Sequence, residues 1–249
     1  MEKTGVQTVE RAFDVLACFR DGPELGVSEV ARRCDLAVST THRLMSTLVA
    51  SGFLEKTGTR YRVGAVFTEF GHLAYRQFGA YRAEPHLERL AATTGASASI
   101  AIQQGHDAVL IATSRWREAD GHRLQGIRLP MHASALGKAL LVWGDVSDEV
   151  RGSLPFAGGT ERSVTGPNAL AAELLKSRER GYAFNDEELD EGFRTIGVPV
   201  LTDTEQACRF VLGLRGPVDL MVPERIPMFV ELSRATALDI SQVLSPSPG

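Results

Sequence analysis

Residues 39–43 read Ser39-Thr40-Thr41-His42-Arg43, five consecutive hydrogen-bonding side chains ahead of the apolar Leu44. Short hydroxyls, an imidazole and a guanidinium in that order suit the phosphates and base edges of duplex DNA. Arg43 can pair bidentately with guanine or clamp a phosphate, and Ser39 and Thr40 suit phosphate oxygens. Lys56, Arg60 and Arg62 come next and can hold the flanking backbone. The plainer reading is that Ser39 and Thr40 only cap a helix and Arg43 is a solvated charge. Over 39–62 four cations stand against the single acid Glu55, while the whole chain carries a net charge of −4. That balance excludes a general basic coat and supports local phosphate contact.

No catalytic pattern is present. Gly137-Lys138 resembles the end of a phosphate loop, but His132 stands where the earlier glycine belongs and Ala139 where Ser or Thr belongs. There is no G-x-S-x-G, no H-E-x-x-H and no C-x-x-C, and the six histidines lack ligand spacing. No cofactor and no metal are expected. Cys18, Cys34 and Cys208 are odd in number and far apart along the chain, which points to a reducing compartment without a disulfide framework. Hydrophobic content of 43% and charged content of 23% are those of an ordinary globular protein. No apolar run reaches the roughly 18 residues that a membrane span needs. The opening MEKTGVQTVE has no apolar signal core. The expectation is a cytoplasmic protein with no membrane partner. The acidic run Asp186-Glu187-Glu188 with Asp190-Glu191 reads as a solvated loop, a pocket rim or a helix N-terminal motif.

The elements that must position these residues are set by periodicity. A first helix is expected over 8–20 with Val9, Phe13, Leu16 and Ala17 on its apolar face, stopped by Asp21-Gly22-Pro23. A second spans 27–34, capped at Gly26, with Val27, Val30 and Ala31 inward. After the turn Asp35-Leu36-Ala37, a third spans 39–51, capped by Ser39, with Leu44, Met45 and Leu48 inward and Gly52 closing it. Residues 53–55 and 60–63 then pair across Thr57-Gly58-Thr59 as a hairpin. The order is helix, turn, helix, wing, an arrangement that places one helix in the major groove. A longer helix over 66–78 carries Val66, Phe70 and Leu73 on one face, and Gly79 and Pro85 punctuate the chain beyond it. Leu87 and Leu90 belong to a helix ending at Gly95.

From Ala96 onward, strands are expected at 98–103, 108–112, 196–201 and 210–214. Helices are expected at 136–143, at 169–181 with Leu170, Leu174 and Leu175 inward, and at 223–244. Such alternation predicts an α+β domain, a mainly antiparallel sheet flanked by helices. No repeat and no low-complexity tract is present except the Ser/Pro tail after Leu244.

Over nearly its whole length the chain resembles the IclR-type bacterial transcriptional regulators. The resemblance is carried by ERAFDVLACF (10–19), STTHRLMSTLVASGF (39–53) and YRVG (61–64), then by LPMHASALGKALL (129–141), GYAFNDEELDEGFRTIGVPV (181–200) and GLRGP (213–217). It implies a winged helix-turn-helix DNA-binding domain over 1–64, a linker helix over 65–80, and a GAF/profilin-like α+β effector and oligomerisation domain over 81–249. It also implies dimers or tetramers, with the apolar face of the linker helix either intramolecular core or part of a dimer contact.

The family's effector positions are carried over one at a time. Its H-x-S/T-A-x-G-K helix start falls on His132 to Lys138, so Ser134 and Ala135 are implied to receive an anion. Its acidic pocket position falls on Asn185, its cysteine after the E-x-x-x-G signature on Thr195, and its serines before the final Gly-Pro on Gly213 and Arg215. Glu188 and Gly192 match the E-x-x-x-G signature itself, which reads as structural. These departures exchange a charge and a thiol for neutral polar groups. They add a cation at Arg215, which either pairs with an acid group or is a solvated strand residue. Arg115-Trp116-Arg117 is either a pocket lid or an exposed loop. The resulting expectation is a sequence-specific regulator, not an enzyme, that binds a double-stranded operator and answers to a small carboxylate of catabolic metabolism. The alternative is a ligand-independent DNA-binding regulator whose second domain only oligomerises.

Overall fold

The computed structural model describes residues 6–20, 24–114, 126–201 and 207–244. The chain divides into two compact units, Met1–Ala74 and Tyr75–Gly249. The expected stop signal at 21–23 and the Arg115-Trp116-Arg117 segment lie outside the described residues.

The first unit contains α1 (Gln7–Ala17), β1 (Leu25–Gly26), α2 (Val27–Arg33), α3 (Val38–Ala50), β2 (Leu54–Thr57) and β3 (Arg60–Val63). It ends within α4 (Val66–Gln77), inside which the division falls. Val15, Phe19, Val30, Met45 and Leu48 pack with Leu25, Leu54 and Tyr61 of the small sheet into one core. The Glu29 carboxylate accepts from the Gly26 N–H at 2.7 Å and so closes the start of α2. That bond holds the Glu29 pKa below its usual value. The wing pairs Leu54↔Val63 through Thr57↔Arg60 around Gly58-Thr59, with Gly58 at φ +63°. A third strand, Leu25–Gly26, pairs with β3 and had no signal in the sequence.

Two expectations fail in this unit. The buried face of α1 is Val15, with Phe19 just beyond the helix, while Val9 and Phe13 stand 50% and 65% exposed and Ala17 is exposed too. Both stripes have helical spacing, and the core takes the one that reaches α3. The third helix begins one residue early, at Val38, with Ala37 as its N-cap, so Ser39 lies inside the helix and caps nothing. Cys18 and Cys34, distant in sequence, are free thiols whose sulfurs touch at 3.3 Å. Burial and the neighbouring thiol push the Cys34 pKa up to about 12.

The second unit contains α5 (Ala80–Thr94), β4 (Ser97–Gln104), β5 (Asp107–Thr113), β6 (Arg128–Pro130), α6 (Ala135–Trp143) and α7 (Asp148–Gly152). It continues with α8 (Pro167–Arg180), β7 (Ala183–Asp186), β8 (Phe193–Val200), β9 (Phe210–Pro217), a 3-10 turn (Pro223–Arg225) and α9 (Ile226–Leu244). Six antiparallel strands run in the order β6-β5-β4-β9-β8-β7. Leu87, Leu90, Phe229, Val230 and Ile240 of α5 and α9 pack on one face against Ile100, Ile196, Leu212 and Leu214. Leu136, Ala139 and Leu140 of α6 pack on the other against Ala101, Ala183 and Val211.

Glycine makes the α6 contact possible. Gly213 and Gly197 are neighbours across β9 and β8. A Cβ on Gly197 would stand 2.5 Å from the Ala135 carbonyl oxygen, and one on Gly213 would stand 3.0 Å from the Leu136 side chain. Pro85 does not break the chain as expected but sits within α5. Gly79, at φ +68°, makes the break expected of it. Leu170 is buried on α8 as expected, but Leu175 is 59% exposed. Among the described residues no helix is long and apolar enough to cross a membrane. Gly197→Ala should force α6 off the sheet and cost about 1–3 kcal/mol. An unchanged urea midpoint for that variant would contradict the close approach.

Candidate nucleic-acid interface and ligand cavity

The N-terminal turns of α3 sort the five polar residues by face. Ser39, His42 and Arg43 are exposed and Thr40 is half-buried. Thr41 is fully buried, and its hydroxyl donates to the Ala37 carbonyl at 3.1 Å. Thr41 is therefore withdrawn from the candidate DNA contacts: one hundred degrees of rotation per residue turns it into the core. Ser46 is exposed further along the helix and extends the outward face. The side chains of His42 and Arg43 engage no other described residue, so both are free to meet a partner.

The wing cations are less free. Arg62 holds Glu55 through Nε and Nη2, each at 3.0 Å. Arg60 contacts Glu29 at 3.1 Å and donates to the Glu24 carbonyl at 2.7 Å. Lys56 stands 5.8 Å from the centre of the Tyr61 ring. Register places Lys56 opposite Tyr61 and Arg62 opposite Glu55, so the three cations divide between the two faces of the hairpin. Exposed pairs of this kind hold weakly and yield to a phosphate.

In the second unit one row of polar residues crosses four strands. Ser97 faces Arg215, Arg215 faces Thr195, and Thr195 faces Asn185. Together with the α6 start at Ser134 and Ala135, this row lines a cavity of about 360 Å³. Leu110, Ile127, Leu129, Leu136 and Leu189 supply its apolar wall. Five of the six carried-over positions thus come together: Ser134, Ala135, Asn185, Thr195 and Arg215. Gly213 does not, because Leu136 fills the space its side chain would need. The Ser134 hydroxyl accepts from Gly137 N at 3.0 Å and donates to Pro130 at 2.8 Å, so it is spent on starting the helix. Asn185 is 2% exposed and donates to the Ala133 carbonyl. Arg215 contacts Asp190 at 2.8 Å and lies 4.2 Å from the Phe193 ring centre. Ser97, Thr113 and Arg128 also line the cavity, and sequence reasoning missed them; Asp190 of the acidic run lines it too. Thr113 adds a buried hydroxyl with no hydrogen-bond partner among the described residues.

The acidic run is not a solvated loop throughout. Lys138 is fully buried, donating to Glu188 at 2.5 Å and to the Phe184 carbonyl at 2.7 Å. Glu173 stands 3.8 Å away. Burial raises the Glu188 pKa, and the Lys138 charge opposes the rise. This pair ties α6 to the β7–β8 connection that carries Leu189 and Asp190. Nearby, His132 is 1% exposed and neither ring nitrogen has a hydrogen-bond partner. Burial lowers its pKa, and the Lys138 charge adds to the effect. The Gly158 backbone, outside hydrogen-bonding geometry, opposes it. A depressed histidine pKa gives stability that is present above the unfolded value, near 6.5, and is lost as pH falls through the folded value. The thermal midpoint should therefore drop more between pH 7.5 and pH 5.5 in the natural protein than in His132→Leu; equal drops would show that His132 does not titrate on unfolding.

Comparison with known proteins covers both units. The model for the bacterial transcriptional regulator IclR C-terminal domain matches residues 80–242, and that for the IclR helix-turn-helix domain matches 8–58. The chain is 31% identical to the HTH-type transcriptional regulator BhcR of Paracoccus denitrificans, over 97% of this chain and 88% of that protein. It is 29% identical to the HTH-type transcriptional repressor AllR of Salmonella typhi, over 98% and 92%. Among solved structures, an IclR homolog from Microbacterium hydrocarbonoxydans, complexed with 4-hydroxybenzoate, superposes with a TM-score of 0.78 at 26% identity, covering 96% of this chain and all of that one.

Proposed function

The chain belongs to the IclR family of bacterial transcriptional regulators, and from that premise we propose that α3 reads an operator while the cavity of the second unit takes a small organic acid that controls DNA binding. The observation that carries this reading is the polar row Asn185, Thr195 and Arg215 beside the α6 start, around an otherwise apolar cavity. A mostly apolar pocket with a few convergent polar groups is the usual form of a small-molecule site. The Arg215 cation favours an anion, and the 4-hydroxybenzoate held by the Microbacterium homolog is a carboxylate of fitting size.

On the DNA side, Ser39, Thr40, His42 and Arg43 are the reading residues, with Lys56, Arg60 and Arg62 positioning the wing on phosphates. The molecule works as a homo-oligomer, a dimer or tetramer. Val9 and Phe13 on α1, and Phe67, Phe70 and Leu73 on α4, are large apolar side chains left exposed, which supports assembly with a second copy. The effector acts by binding DNA-competent and incompetent states unequally, which is the condition for any population shift.

Arg43→Ala should weaken operator binding by about 1–3 kcal/mol if Arg43 reads a base. Fluorescence anisotropy on labelled operator measures this, and an unchanged affinity removes Arg43 from the interface. For the cavity, a thermal-shift screen of small aliphatic and aromatic acids should give a specific hit. A ligand at about 100 times its Kd stabilises the native state by about 2.7 kcal/mol. Operator binding that ignores every acid in such a screen would favour a constitutive regulator with an oligomerising second unit.

A further inference from the structure

We propose that Asp190 occupies the anion position of the cavity in the free protein, and that the effector is a small monocarboxylate with an apolar body whose acid group displaces Asp190 from Arg215. This rests on the reading of the cavity as the effector site and goes on to name the ligand class and the exchange that admits it.

Two arginines line the cavity, and they differ in commitment. Arg128 donates to Asp107 at 2.7 Å, to the Gln104 side chain at 3.2 Å and to the Gln104 carbonyl at 3.0 Å. Its charge is matched and each of its three nitrogens already donates a bond. Among the described residues Arg215 makes one ion pair, to Asp190 at 2.8 Å, and rests on Phe193. Its remaining donors are open to a second acceptor, and a flat ring beneath a guanidinium holds the plane in which a carboxylate docks.

Asp190 is the weakly held partner. Its side chain is 53% exposed, and Arg215 is its one partner among the described residues. Its neighbours in the β7–β8 connection are fixed. Glu187 accepts from Gly192 N at 2.9 Å and from Arg162 at 2.7 Å, and Glu188 is held by the buried Lys138. The connection is thus anchored at its start, while the one carboxylate facing the cavity can leave without disturbing the anchor. An ion pair in such partly solvated surroundings is easily exchanged. A second anion beside Asp190 also repels it, so ligand entry and Asp190 departure are linked. A dicarboxylate would bring a second charge into a cavity whose other cation is already matched. Leu110, Ile127, Leu129 and Leu136 accept an apolar body instead, and the unpartnered Thr113 hydroxyl can meet a hydroxyl or carbonyl remote from the acid.

The test is calorimetric titration of the full chain with 4-hydroxybenzoate, 3-phenylpropionate and cyclohexanecarboxylate, each beside its neutral amide. At least one acid should bind, with its amide at least tenfold weaker. Arg215→Gln should weaken that acid at least tenfold, whereas Asp190→Asn should tighten it severalfold. In the Arg215→Gln background the Asp190→Asn gain should disappear. Both side chains are partly exposed, and circular dichroism confirms that the variants fold. An acid that binds but is not tightened by Asp190→Asn overturns the exchange and leaves the cavity standing as the effector site. An amide that binds as well as its acid overturns the anion class and likewise leaves the cavity standing. Failure of every acid and every amide overturns the cavity reading and this inference together.

Discussion

Helix α6 can touch the sheet only because two adjacent strands lack side chains where it lands. At Gly197 the helix presents a backbone oxygen at a distance that no Cβ would tolerate, and at Gly213 a leucine that a Cβ would force to shift. That close approach fixes where the helix starts and therefore which row of the sheet lies open beyond it. Side chains two residues along a strand share a face. The row next to the glycines is Thr195 and Arg215, with Asn185 at its end, and the helix start hangs over it. The cavity is the space left where a helix is forced close at one row and released at the next. A bulkier pair at 197 and 213 would change its ceiling without touching any lining residue.

The buried Lys138–Glu188 pair holds the other wall. A lysine with no solvent exposure is costly unless a carboxylate and further acceptors meet it, and Glu188 and the Phe184 carbonyl do so. Because Lys138 belongs to α6 and Glu188 to the β7–β8 connection, the same pair sets the distance between ceiling and rim. Apolar packing on both sides of the sheet gives the unit its stability. The charged pair gives the cavity a defined shape.

The legible parts were those with a strong period. The helix-turn-helix order, the wing and the sheet strands 4, 5, 8 and 9 all arise from spacing and turn residues. Faces were harder to read than elements. Thr41 stands one turn before Met45 and so shares the buried face of α3, which the run of five polar residues concealed, and α1 offered two apolar stripes of equal period. β6 and β7 are too short to show alternation. Glu188 read as structural from its signature, but nothing in the sequence paired it with Lys138, since charged residues are almost never fully buried. Asp190 was hidden among four other acids whose roles only geometry separates. Position-by-position carry-over placed five cavity residues correctly in space and failed at Gly213, where what matters is the absence of a side chain.

The outward face of α3 has a definite length. Its exposed polar side chains run from Ser39 to Thr47, and at about 1.5 Å per residue that span is about 12 Å. Base pairs recur about every 3.4 Å along a duplex, so a face of that length covers roughly three of them. Three positions drawn from four letters separate about 64 alternatives, against a background of roughly a million competing sites or more. A single copy of this helix therefore carries too little information to name an address in a genome, however tightly it holds. The remaining digits must come from further windows read at the same time.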